Sequence, residues 1–227
     1  MIPPADDPPA PQTPDPYLAA RHAMVADQIA ARGVKDPRVL AAMRDVPRHQ
    51  FVPSDARADA YIDAPLPIGF GQTISQPYIV ALMTELVRPS ATDAVLEIGT
   101  GSGYQAAVLS RLAATVRSIE LVEPLARAAQ AALRELGYAN VQVRIGDGYQ
   151  GWPEAAPFDV IVVTAAPDAV PSALVAQLRP GGRLVIPVGP VGGVQDLLLI
   201  ERDAAGRTTT RSIIPVRFVP LVRKREG

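Results

Sequence analysis

Glycines and carboxylates cluster where three apolar runs of this chain end, and those residues could do chemistry. The first run, Val95 to Ile98, carries Glu97 near its end and opens into Gly99-Thr100-Gly101-Ser102-Gly103-Tyr104. Glycines at a strand-to-helix turn permit positive φ and let a ligand lie against bare main chain. A dinucleotide fingerprint needs G-x-G-x-x-G, with the helix N-terminus aimed at a pyrophosphate. Here the third glycine comes one residue early, and Glu97 would repel a diphosphate. The same carboxylate suits a cofactor bearing an ammonium and a sulfonium, a description that S-adenosylmethionine meets. Glu97, Gly99, Gly101 and Gly103 are thus the first candidate cofactor residues.

A nucleoside bound at such a turn needs an acceptor for its ribose hydroxyls at the end of the next strand, about 20 residues beyond the glycines. Glu120, closing Ser118-Ile119-Glu120, stands at that distance. The alternatives are a solvated strand-end glutamate, or Glu123 in the same role; Glu123 fits better as a first-turn helix residue. A third run ends in Gly146-Asp147-Gly148, where Asp147 can accept from an adenine amino group beside the small Gly148, unless this is an ordinary Asp-Gly turn. Upstream lies Thr73-Ile74-Ser75, delivered by the long segment Asp63 to Gly71. Ser75 is either a helix N-cap ahead of Pro77 or a polar group presented to a substrate.

The elements that must position these groups are legible in the spacing. Apolar positions from Tyr17 to Ala31 share a helical face, with Gly33 placed to stop it. Asp36-Pro37 caps and starts a second helix that Pro47 ends, and a third runs from about Pro77 to Val87. Asp63 to Gly71, punctuated by proline and glycine, is expected to be neither regular helix nor strand. From Ala94 onward strand and helix alternate. Strands are expected over Ala94 to Ile98, Val116 to Ile119, Val141 to Ile145, Phe158 to Val163 and Arg183 to Pro187. Helices are expected over Tyr104 to Ala113, Pro124 to Leu136 and Pro171 to Leu178, with Gly137 and Gly181 as stop signals. This pattern implies a mostly parallel sheet covered on both faces. Asp196 to Arg202 and Thr208 to Val219 flank the turn Asp203-Ala204-Ala205-Gly206, so a closing hairpin should turn one strand antiparallel.

Composition narrows the function classes. The 227 residues suffice for one sizeable domain, and a net charge of -1 supplies no global field for nucleic acid or an anionic membrane. With no cysteine there is no disulfide framework and no thiolate nucleophile or thiolate metal site, which fits a reducing cytoplasm. No metal site is expected. No apolar run reaches the ~20 residues of a membrane span, and the start of the chain lacks the pattern of a signal peptide. Residues 1–16, dominated by proline with a few aspartates, read as a disordered or polyproline-like leader.

Beyond the glycine turn, the chain from about Met24 to Val222 resembles the protein-L-isoaspartate O-methyltransferase family, which acts on damaged aspartyl sites in proteins. The resemblance rests on Val46-Pro47-Arg48 with Phe51-Val52-Pro53, and on Pro65-Leu66-Pro67-Ile68-Gly69 leading to Thr73-Ile74-Ser75-Gln76-Pro77. It extends to Gly146-Asp147-Gly148, Ala156-Pro157-Phe158-Asp159, Leu178-Arg179-Pro180-Gly181-Gly182 and Pro187-Val188-Gly189. Gln76-Pro77-Tyr78 follows the bacterial members, where animal members carry Ala-Pro-His. The resemblance implies a class I methyltransferase, an α/β Rossmann-like sheet with N-terminal helical additions. Its parts would be 17–90 with helices and substrate loop, 91–190 as cofactor core, and 191–227 as hairpin and tail of a single domain.

It further implies Ser75 as the active residue, with Thr73 and Ile74 at the cofactor and substrate pocket and Ile68 on the substrate side. Gly99, Gly101 and Gly103 would line the methionine part, Glu120 the ribose, and Asp147 with Gly148 the adenine. The cofactor would be S-adenosylmethionine, with S-adenosylhomocysteine as product. The partners would be isoaspartyl peptides and unfolded or aged proteins, met by a cytoplasmic monomer that binds neither nucleic acid nor membrane. The readings that compete are a non-catalytic adaptor that keeps the pocket and a small-molecule carboxyl methyltransferase.

Overall fold

The computed structural model describes residues 15–223; most of the expected leader, residues 1–14, lies outside them. Asp15 and Pro16, assigned to that leader, are described. Asp15 accepts the Tyr17 N–H at 2.9 Å and pairs with Arg21 at 2.8 Å, so it belongs to the folded part of the chain and not to a leader. Helix α1 (Leu18–Ala23) widens into π geometry over Met24–Ile29 and finishes as a 3-10 turn, Ala30–Arg32. Gly33, at φ 99°, ends it. Helix α2 (Pro37–Asp45) begins as expected: the Asp36 carboxylate accepts the Arg38 N–H at 2.9 Å and Pro37 fills the first helical position.

The segment expected to have no regular structure forms a small antiparallel ribbon instead. Its strands, β1 (Leu66–Gly69) and β2 (Gln72–Ile74), pair Leu66 with Ile74 and Pro67 with Thr73. An isolated two-stranded ribbon has an open side, where a proline without an N–H costs no ladder bond, and the glycines close its turn. Helix α3 (Pro77–Val87) follows. Its N-cap is Gln76, with no side-chain cap bond, so the capping reading of Ser75 does not hold.

Seven strands make the main sheet, in the order β5-β4-β3-β6-β7-β8-β9. They are β3 (Ala94–Ile98), β4 (Thr115–Glu120), β5 (Val141–Ile145), β6 (Phe158–Val163), β7 (Leu178–Val188), β8 (Gln195–Arg202) and β9 (Thr208–Val216). Strands β3 to β7 are mutually parallel, and β8 runs antiparallel to both of its neighbours, as the hairpin predicted. Gly181 does not stop a helix: it lies inside β7, which starts at Leu178, five residues ahead of expectation, and pairs irregularly with β6 there. Helices α4 (Tyr104–Ser110), α5 (Glu123–Glu135) and α6 (Ser172–Ala176) complete the crossovers.

The period-2 alternation of buried strands divides the core between the two faces. Val95, Val160, Val162 and Val185 pack with the N-terminal helices, α3 and α4. Leu96, Ile98, Ile161, Val163, Leu184 and Ile186 pack on the opposite face with Trp152 and Leu174 of α6. Among the described residues no helix is long and apolar enough to cross a membrane.

Candidate active site

The strand order reverses at β3 and β6, so their carboxyl ends splay apart and open a crevice, the position where open α/β sheets bind ligands. Thr164, the first residue past β6, sits on that crevice. Its N–H donates to Ile98 O at 2.9 Å and its hydroxyl donates to Gly99 O at 2.6 Å. On the other side, Ile119 O at the end of β4 accepts from Gly99 N at 2.8 Å and Thr100 N at 3.2 Å. The glycine turn is thereby tied to both neighbouring strands. Gly99 takes φ 93°, and a Cβ there would stand 2.5 Å from Thr164 Oγ1, so no other residue fits without a shift.

Glu120, 7 % exposed, turns its carboxylate back under this loop. One oxygen accepts the Gly101 N–H at 2.8 Å and the other the Val122 N–H at 2.9 Å. Each oxygen keeps capacity for a further donor, and the side chain lines the cleft together with Gly99, Gly101 and Gly148. Gly148 backs directly onto the Ile98 side chain, leaving no room for a Cβ. Asp147 is half-buried and caps the short turn that follows by accepting the Tyr149 N–H at 2.9 Å; it stands beside the cleft lining, not in it. The cleft also has a wall with no local signal in the sequence, the C-terminal residues Val219 to Val222. These are strapped down by Ala166 N to Val219 O at 2.8 Å, Leu221 N to Ala166 O at 2.9 Å and the Tyr149 hydroxyl to Leu221 O at 3.1 Å.

Ser75 is half-buried and lines a neighbouring cavity of about 430 Å³. With the capping role vacant, its hydroxyl makes no hydrogen bond within the described residues. Ser75, Ile74 and Thr73 also face Gly99 and Gly101 across a narrow crevice. Thr73, Thr164 and Val219 line both the cofactor-side cleft and the Ser75 cavity, so the two spaces meet at these residues. Ile68 reaches the glycine turn: its Cδ1 lies 3.3 Å from where a Gly101 Cβ would be. Gly103 forms the left-handed N-cap of α4 and lets Leu133 of α5 approach.

The ribbon that presents Ser75 is held from below. Arg48, fully buried, donates from Nε to Ala60 O at 2.8 Å, and Gln76 Nε2 donates to Asp63 O at 3.2 Å. Burial lowers the Arg48 pKa to about 10, which still leaves it charged at neutral pH. The two histidines do not line the Ser75 cavity. His49 is engaged with the Tyr61 hydroxyl at 2.7 Å and stacked on Tyr17 with centroids 4.2 Å apart.

Glu97 stands apart from the expected arrangement. Strand alternation sends it to the face of Val95, under α4, and not onto the wall of the cleft. It is wholly buried; Oε2 accepts from the Ser118 hydroxyl, whose oxygen lies 2.5 Å from Thr100 Oγ1, and Oε1 has no partner. Burial is the main reason its pKa is pushed up to about 8 from the ordinary 4.5, with the nearby Glu120 charge acting in the same sense. Folded Glu97 keeps its proton where an unfolded one has released it. Between those two values unfolding therefore releases a proton, and stability falls as pH rises. We expect Glu97→Gln to flatten that loss between pH 5 and 8 by on the order of 1–3 kcal/mol, read from urea midpoints. An unchanged slope would mean that Glu97 is ionised throughout.

These residues fit S-adenosylmethionine. The bare backbone at Gly99 and Gly148 offers a cradle that a Cβ would fill, and Glu120 offers a carboxylate to a ribose edge. Fold and site together define a class I S-adenosylmethionine-dependent methyltransferase. Residues 19–226 match the family model described as protein-L-isoaspartate(D-aspartate) O-methyltransferase. The chain is 56 % identical over 225 residues to a protein-L-isoaspartate O-methyltransferase of Synechococcus sp., covering 96 % of this chain and 92 % of that one. It is 58 % identical over 205 residues to one of Opitutus terrae, covering 90 % and 88 %. It therefore belongs to the protein-L-isoaspartate O-methyltransferase family.

Two solved structures agree with the fold. A protein-L-isoaspartate O-methyltransferase superposes with TM-score 0.78 at 31 % identity, covering 89 % of this chain and 65 % of that one. A Plasmodium falciparum protein described as a putative member, solved in complex with S-adenosyl-L-homocysteine, gives TM-score 0.78 at 24 % identity, with 90 % and 99 % covered.

Proposed function

We propose that this protein methylates the α-carboxylate of L-isoaspartyl residues in damaged proteins, using S-adenosylmethionine. The observation that carries this reading is the junction at Thr73 and Thr164, where the glycine-turn cleft and the Ser75 cavity share a wall. A donor in the first space and an acceptor in the second can meet along that shared wall, which Val219 extends.

When bound, the cofactor supplies an electrophilic methyl group on a sulfonium. The acceptor needs no base: a free α-carboxyl, with a reference pKa of about 3.3–3.7, is already ionised at neutral pH. One carboxylate oxygen forms the new C–O bond, the C–S bond breaks with its electron pair going to sulfur, and no proton moves. The chain's task is alignment and exclusion of water. Glu120 holds the ribose, Gly99 and Gly101 the methionine part, and Asp147 with Gly148 the adenine side. Ser75, whose hydroxyl is uncommitted, donates a hydrogen bond that orients the substrate carboxylate beside Thr73 and Ile74. Ile68 on β1 covers the turn, and Glu97 acts from behind it through Ser118 and Thr100. After release the ester is attacked by the next backbone nitrogen, expelling methanol and leaving a succinimide that hydrolyses partly to normal aspartate.

On this reading residues 17–227 form one methyltransferase domain, working as a cytoplasmic monomer on flexible or unfolded segments. The cysteine-free composition suits a reducing compartment. The test is labelled S-adenosylmethionine with paired peptides that differ only in isoaspartate or aspartate. Base-labile label released as methanol from the first peptide alone is expected; label on neither, or on both equally, would sink the assignment.

A further inference from the structure

The Ser75 cavity carries a charge pattern that the methyl transfer itself does not require. Its wall includes two arginines, Arg32 and Arg217, and no carboxylate. Arg32 arrives from the end of the first helical segment and is held in place twice. Its Nη1 pairs with Asp63 Oδ2 at 2.7 Å, and its Cζ lies 3.6 Å from the centroid of the Tyr78 ring. Arg217 follows β9 and is exposed. Among the described residues it makes no ion pair, and the rest of that wall, with Val194, Ile214 and Phe218, is largely apolar.

Neither guanidinium suits the reacting carboxylate. That group loses its charge as it attacks, so a cation clamped on it would stabilise the starting state more than the transition state. Cations in the substrate cavity are better matched to charges that persist through the reaction, the side chains flanking the damaged residue. Arg32 is half compensated by Asp63, which leaves Arg217 as the stronger pole. Both side chains are exposed at the rim of the cavity, so their effect on a bound peptide should be modest and should fall with salt.

We infer that Arg217, assisted by the Tyr78-stacked Arg32, selects isoaspartyl segments carrying an acidic side chain near the damaged residue and disfavours those carrying lysine or arginine there. This rests on the isoaspartyl reading above.

The test uses isoaspartyl peptides identical except for Glu, Ala or Lys within two residues of the isoaspartate, on either side. Each is assayed for kcat and KM with the parent protein and with Arg217→Gln. The parent should show KM about fivefold lower for the Glu peptide than for the Lys peptide at low salt, with similar kcat, the scale of a partly exposed ion pair. Arg217→Gln should shrink that ratio to below about twofold, as should 0.5 M salt. Equal KM values for Glu and Lys peptides in the parent, or a ratio that survives Arg217→Gln, would overturn the inference and leave the activity standing. If the parent methylates none of the three, the isoaspartyl reading itself fails, and the inference with it.

Discussion

Glu120→Ala should weaken S-adenosylmethionine binding by about 30- to 100-fold, the loss of a charged acceptor shared by two hydroxyls. The structure adds a second reason for a large effect. The carboxylate also accepts the Gly101 and Val122 N–H groups, so its removal loosens the turn at Gly101 as well as deleting the acceptor, while Ile119 O still holds Gly99 and Thr100. Calorimetric titration of parent and variant measures the change, and a parallel thermal melt should lose most of the cofactor-induced shift. Glu123 provides the control. It opens α5, is about half exposed, and pairs with Arg127 one turn on at 2.6 Å, so Glu123→Ala should bind cofactor like the parent. If Glu120→Ala also binds like the parent, Glu120 leaves the site.

The second large effect is expected at Ser75. Its hydroxyl makes no bond inside the described protein, so Ser75→Ala removes nothing that holds the fold together, and stability should stay within about 0.5 kcal/mol of the parent. Turnover on an isoaspartyl peptide should nevertheless fall by about 10- to 100-fold, the worth of one hydrogen bond to a charged group that orients the nucleophile. Cofactor affinity should largely persist, because Ser75 lies outside the cleft lined by Glu120 and Gly148 and meets the glycine turn only across a narrow crevice. Unchanged kinetics would remove Ser75 from the reaction. A loss of cofactor binding would move it to the other side of the junction.

The contrast between these two residues shows how far sequence reasoning reaches. Glu120 could be found from spacing alone, because a strand end one unit beyond a glycine turn lies on the same sheet edge in any doubly wound fold. Ser75 could be nominated but not resolved, since a serine two residues before a proline serves equally as a cap. The observed cap at Gln76, which has no side-chain bond, decided between those uses. Glu97 went the other way. Its place beside the glycines suggested contact with a ligand, while the strand's alternation, once the register with Val162 and Ser118 is known, turns it under α4. Thr164 was missed although a signal existed: it directly follows the strand Phe158–Val163, whose end flanks the switch point.

By itself, the sequence determined the features that short-range physics controls. These are the strand-helix alternation, the Asp36-Pro37 start of α2, the positive-φ glycine turn and the closing hairpin with its one antiparallel strand. Each depends on dihedral preferences or on periodicity within a few residues. Tertiary structure alone decided what surrounds the two cavities. The Thr164 hydroxyl reaches Gly99 across 65 positions, the Tyr149 hydroxyl reaches Leu221 across 72, and Arg32 meets Asp63 across 31. Such contacts depend on how the layers pack and on where the chain returns, which no local pattern encodes. The cofactor was therefore legible in one stretch of sequence, whereas the junction that joins cofactor to substrate required the fold.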